Sequence, residues 1–387
     1  MSIQKQVLPI IVFSQFCCTS LWFAGNAVMS DLVEAFNLES SALGHLTSAV
    51  QFGFIFGTLV FAIFTIADRF STSRVFFVSA LLGALFNLGT SIENNTFTSL
   101  LFFRFMTGFF LAGIYPVGMK IAADYFQKGL GKSLGFLVGA LVLGTAFPHL
   151  LKGFGTELPW KLILFITSGL ATLGGLLMLI LVPNGPFRKQ SKQLDFSAFF
   201  KVFKNKKFRA AAFGYFGHMW ELYAFWAFVP IMIATFLELN PTEEINISLF
   251  SFLIIALGGV ACVVGGYISQ NFGTKKTAAT ALFISCILCI LSPLIFYFSS
   301  KILLISYLII WGLVVIADSP LFSTLVAQNA LAESKGTALT IVNCIGFFIT
   351  IFSIQLLSIL QNSMDSRFIY IFLAIGPIIG LIALRKK

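Results

Sequence analysis

The 387-residue chain is 58% hydrophobic and 10% charged, with a formal net charge of +10 and a mean hydropathy of +0.95. A soluble domain carries about 25% charged residues, so this balance excludes a water-soluble globular fold. It predicts instead an all-α membrane protein that crosses the bilayer many times.

Apolar runs long enough for a ~30 Å hydrocarbon core lie near 7–29, 41–66, 74–92, 97–122, 131–153 and 160–182. After a polar gap they resume near 209–237, 246–270, 275–297, 301–323, 336–360 and 366–384. Twelve spans are expected. The first opens like a signal peptide, but its apolar run is too long for one, so it is read as an uncleaved span. Small residues four apart, Gly53/Gly57, Gly135/Gly139 and Ala140/Gly144, predict close helix contacts.

The charges alternate between loops. Arg69, Arg74, Lys128, Lys132, Lys275, Lys276 and the tail Arg385–Lys387 fall on one side. Between 184 and 209 stand Arg188, Lys189, Lys192, Lys201, Lys204, Lys206, Lys207 and Arg209 against Asp195 alone. The other side collects Asp31, Glu34, Glu39, Glu93, Glu157, Glu238, Glu243, Glu244 and Asp365. This pattern places both termini in the cytoplasm and reads the basic segment as a topology anchor near anionic lipid, not a nucleic-acid site. It also divides the chain into a bundle at 1–183, a basic linker at 184–208 and a second bundle at 209–387. Gly108 and Pro116 recur as Gly312 and Pro320 at a fixed offset, as expected of a duplicated six-helix unit.

Charges inside spans are costly and mark function. Arg104, in the fourth span, offers a planar fork suited to a carboxylate or oxyanion; the alternative is a structural arginine held by helix carbonyls or a buried acid. His218 and Glu221, three apart on the seventh span, share a face and are read as a proton-handling pair, or else as a hydrogen-bonded pin. Asp318, beside Pro320, is expected near the cytoplasmic edge within reach of water, as a second titrating acid or a helix cap. His149 lies at a depth similar to Arg104. Lys120 is expected to snorkel to water. The six cysteines all sit in apolar spans and read as small buried side chains.

The loop A-D-R-F-S-T-S-R (67–74), the helix R-F-M-T-G-F-F-L-A-G-I-Y-P (104–116) and G-Y-I-S-Q-N-F-G-T-K-K (266–276) resemble signature stretches of the major facilitator superfamily. Phe64 and Ser71 replace usual glycines, and Gln270 replaces the usual acid. The stretches 111–120, 139–151 and 214–227 resemble a bacterial branch loosely grouped with cyanate and nitrate/nitrite carriers. The resemblance implies two six-helix pseudo-repeats and a gate formed by Asp68, Arg69, Arg74 and Gly273. It also implies a cavity lined by Trp22, Asn26, Tyr115, Trp220 and Tyr223.

A secondary active transporter of a small solute, with an organic or inorganic anion favoured, is therefore expected. Protons are the expected coupling ion, through Glu221, His218 and Asp318, and the expected setting is a bacterial inner membrane. The alternatives are a proton-driven exporter of drugs or metabolites and a non-transporting sensor. No G-x-x-x-x-G-K-[ST] loop occurs. No nucleophile–base set points to an enzyme. Neither cofactor nor metal is implied, and a monomer is expected.

Overall fold

The computed structural model describes residues 3–39, 41–126, 130–154, 158–188, 203–330 and 335–385. Of the charges used above, Lys128, Glu157, Lys189, Lys192, Asp195, Lys201, Lys386 and Lys387 lie outside the described residues. Helices account for every regular element among the described residues. The first unit, residues 1–194, holds α1 (Ile3–Thr19), α2 (Ala24–Ala27), α3 (Met29–Ala35), α4 (Ala42–Ile63) and α5 (Ile66–Arg69). It continues with α6 (Thr72–Gly89), α7 (Phe97–Leu111), α8 (Tyr115–Tyr125), α9 (Leu130–Phe154) and α10 (Trp160–Leu181). The second unit, residues 195–387, holds α11 (Lys206–Leu239), α12 (Ile247–Phe272), α13 (Thr274–Leu291), α14 (Lys301–Ala317), α15 (Ser319–Asn329), α16 (Lys335–Ser363) and α17 (Ile375–Arg385).

Ten helical stretches among the described residues are long and apolar enough to cross a membrane. The first and last predicted spans are the shortened ones. The first breaks after Thr19, and the last begins as a 3₁₀ turn, Ile369–Ala374, before α17. Outward faces of other spans are apolar: Phe154 on α9, Ile180 on α10, Ile302 on α14 and Ile359 on α16 are each more than 60% exposed, as lipid contact requires.

Backbone-to-backbone contact sets the packing within each unit. A Cβ on Gly108 of α7 would stand 2.0 Å from the Val50 carbonyl oxygen of α4. In the second unit a Cβ on Gly312 of α14 would stand 2.4 Å from the Ile254 carbonyl oxygen of α12. Both members of this contact are displaced by 204 residues, so the two units repeat a contact as well as a motif. Gly53 and Gly57 likewise meet the carbonyl oxygens of Phe105 and Phe109, and Gly144 meets that of Phe16. Gly135 departs from expectation: nothing lies within 4 Å of its added Cβ, so it packs no helix.

The fourth and tenth spans are both interrupted, between α7 and α8 and between α14 and α15. Pro116 and Pro320 occupy the first turn of the resumed helix, where a missing N–H costs nothing. Pro9, Pro148 and Pro230 remain inside continuous helices.

Candidate functional site

In the first unit the chain unwinds between Thr19 and Ala24, exposing carbonyls that an intact helix would have bonded. Arg104 of α7 answers them. Its Nη2 donates to the Trp22 oxygen at 2.6 Å, and Nη1 donates to the Leu21 oxygen at 3.4 Å and to Asn87 Oδ1 at 3.3 Å. The residue is 1% exposed. Asn87 Nδ2 in turn donates to Thr167 and Ser168 of α10. A guanidinium has five N–H donors, and two remain after these bonds. Of the two structural readings of Arg104, the geometry matches helix carbonyls and not a buried acid. Asn26 Nδ2 donates to Thr47 Oγ1 at 2.8 Å, and the Trp22 ring lies 4.8 Å from that of Phe54. Tyr115, half-buried, opens α8.

The second unit holds the buried acids. Glu221, 1% exposed on α11, accepts three hydrogen bonds on one oxygen, Oε1. They come from Ser285 Oγ, from Cys289 Sγ at 3.3 Å and from Trp311 Nε1 at 2.5 Å. Each donor is neutral, and no cation pairs with Glu221 among the described residues. The expected His218–Glu221 pair does not form. His218 Nδ1 lies 2.8 Å from Asp318 Oδ1, with both side chains 1% exposed. Asp318 is thus buried, not near water as expected, because it caps the break between α14 and α15 and turns inward to α11. Cys289 departs from the apolar reading, since its thiol touches the carboxylate. Trp220 Nε1 donates to the Phe372 oxygen at 3.0 Å, while Tyr223 packs on Trp226 and Phe347.

The loop after α4 is built differently again. Thr65 adopts a left-handed conformation with φ 49° just before α5. Lys120 is partly exposed, and its Nζ lies 2.7 Å from Asp68 Oδ1. Arg188 Nη2 donates to the carbonyl oxygens of Asp68 and Phe70, and Ser71 donates to Asn184. Arg69 and Arg74 are exposed, and Gly273, φ 86°, caps α13.

Several of these side chains carry no motif. Ser285, Cys289 and Trp311 sit on other spans than Glu221, and Asn87 and Arg188 lie outside the signature stretches. Only the polar outlier within an apolar run, as with Asn87 in A-L-F-N-L-G, offered a sequence signal.

The Major Facilitator Superfamily profile matches residues 11–354, and no curated protein sequence matches. Among solved structures, a bacterial homologue of the human lysosomal transporter Spinster, inward-facing and unoccupied, superposes with a TM-score of 0.72. It is 14% identical, over 99% of this chain and 96% of that one. The same homologue in an occupied inward-facing form gives 0.69 at 14%, with the same coverage. A point mutant of the nucleoside transporter NupG gives 0.74 at 16% identity, over 99% of both chains.

Proposed function

This chain belongs to the Major Facilitator Superfamily, and on that premise we propose that it moves a small solute by alternating access, coupled to protons through Glu221. The family places it among multi-pass membrane transporters and not among enzymes. The observation that carries the coupling is the environment of Glu221: an enclosed carboxyl with three neutral donors on Oε1 and, among the described residues, no cation paired with it. An ionised group there is an uncompensated charge at membrane depth, whereas the protonated group is neutral. The His218–Asp318 pair forms a second titratable unit, at the joint of the tenth span.

For cargo, the planar guanidinium of Arg104 inside a span favours an anion, with Arg104 as its docking cation. Such a cargo must use the two donors that the first-span carbonyls and Asn87 leave, or displace those acceptors. Trp22, Asn26 and Tyr115 of the first unit, and Trp220 and Tyr223 of the second, are each proposed as substrate-binding residues. The loop at Asp68, Arg69 and Arg74, with Gly273, is the proposed gate, and the Asp68–Lys120 pair with Arg188 is its latch. The charge pattern orients both termini to the cytoplasm of a plasma membrane.

The test is a screen of organic and inorganic anions in liposomes under an imposed pH gradient. Accumulation should require the gradient. Glu221→Gln should abolish it while leaving cargo exchange, and Asp68→Asn should slow cycling with affinity retained. Gradient-driven accumulation by Glu221→Gln at the wild-type level would overturn the coupling role. Cationic cargo alone would overturn the anion reading.

A further inference from the structure

We propose that the basic end of the second unit holds an acidic phospholipid in a specific cleft. A cavity of about 410 Å³ opens there between α11, α13, α15 and α17. That size is within the range of small-ligand sites. Its floor is apolar, formed by Ala210, Ala211, Leu325 and Leu384, and Lys207 and Lys275 bring two ammonium groups from separate helices. None of the described residues lining it is acidic.

A phosphate needs the cations and makes no use of the floor. A lone acyl chain needs the floor and makes no use of the cations. A diacylglycerol phosphodiester uses both, and its place in the bilayer is the interface, where helix ends with exposed lysines stand. Basic pockets between spans on the cytoplasmic side are suited to such headgroups. Lys204, Lys206, Arg209, Lys276 and Arg385 surround the same helix ends, so the local field favours an anion of the inner leaflet. The cleft also lies below the joint at Asp318: α15 runs from that joint to Asn329, whose carbonyl oxygen accepts from Asn205 Nδ2 at 3.2 Å. A lipid bridging Lys207 and Lys275 therefore fastens the end of α15 between its neighbours.

The full chain would be purified and placed in phosphatidylcholine nanodiscs, then titrated with phosphatidylglycerol of the same acyl chains. Native mass spectrometry counts retained lipid, and thermal unfolding runs in parallel. Wild type should retain one phosphatidylglycerol and unfold at higher temperature with it. Lys207→Gln/Lys275→Gln should bind it roughly thirtyfold more weakly, at about fivefold per lysine, and lose the thermal shift. The charge-matched Lys204→Gln/Lys276→Gln, which leaves the cleft intact, should weaken binding far less and keep the thermal shift. Both lysines of the cleft are exposed, and the lipid count reads binding independently of stability. Equal retention by the two double variants, or equal retention of phosphatidylcholine, would overturn the site. A thermal shift from inorganic phosphate alone would assign the cleft to an ion and overturn the lipid.

Discussion

Removing the Arg104 guanidinium should unfasten the first unit. The Nη2 bond to Trp22 at 2.6 Å is short and charge-assisted, a class that contributes about 1.5–3 kcal/mol. The bonds to Leu21 and Asn87, at 3.4 and 3.3 Å, are long and add about 1 kcal/mol together. Truncation also takes the Arg104 donors away from two carbonyl oxygens of the break in a dry interior. Against this, the burial cost of the charge disappears. A net loss of about 3 kcal/mol follows for Arg104→Ala, a drop of roughly 6–12 °C in Tm at the 2–4 °C per kcal/mol typical of units this size. Arg104→Lys keeps the charge but not the fork, so it should fall between. The protein supplies its own reporter. Its six cysteines are free, and five of them are buried, so a thiol-reactive dye brightens on unfolding. Cargo binding measured on the same samples separates fastening from docking: loss of Tm with affinity kept per folded molecule assigns Arg104 to the break alone. An Arg104→Ala protein with wild-type Tm would refute the fastening argument.

Gly108→Ala and Gly135→Ala should move Tm in opposite directions. The first drives a methyl against backbone at 2.0 Å and should destabilise by about 1–3 kcal/mol; the second enters open space and should gain up to about 1 kcal/mol of helix propensity. Two downward shifts of equal size would show that packing does not distinguish the sites. Thr65→Asn should raise Tm by about 0.5–1 kcal/mol equivalent, because asparagine tolerates the left-handed backbone that costs threonine about 1–2 kcal/mol; a lower Tm would contradict the strain. The hydrogen bond and charge of Lys161 hold the exposed Glu93 carboxyl below its ordinary value of 4.5. That small contribution is present above 4.5 and lost as pH falls through the lowered value. Wild type and Glu93→Gln should therefore differ in Tm at neutral pH and converge in acid. A difference that grows on acidification would reverse the sign.

The spans were legible because twenty apolar residues in a row have few other uses. Of their internal breaks only the one at Pro320 was legible, as a helix cap at Asp318; the twin break at Pro116 was not read from the sequence. The break after Thr19 has neither proline nor glycine, so it depends on Arg104, a partner more than eighty residues away. Sequence spacing put His218 and Glu221 on one helix face and suggested a pair. It could not show that Asp318 and Trp311 lie opposite on α14 and its joint, each taking one of them. The repeat offset explains part of this in retrospect. It maps Ile114 onto Asp318 and Leu308 onto Arg104, so each unit carries charge where its twin is apolar.

The same offset maps Trp22, in the unwound stretch, onto Trp226, in the unbroken middle of α11. A 34-residue helix is a shaft about 51 Å long, and a displacement applied at one end arrives at the other. The first span is a jointed rod whose elbow is clamped by a single guanidinium. The two corresponding elements therefore differ in build: α11 is continuous through the position at which the first span is unwound and held by Arg104.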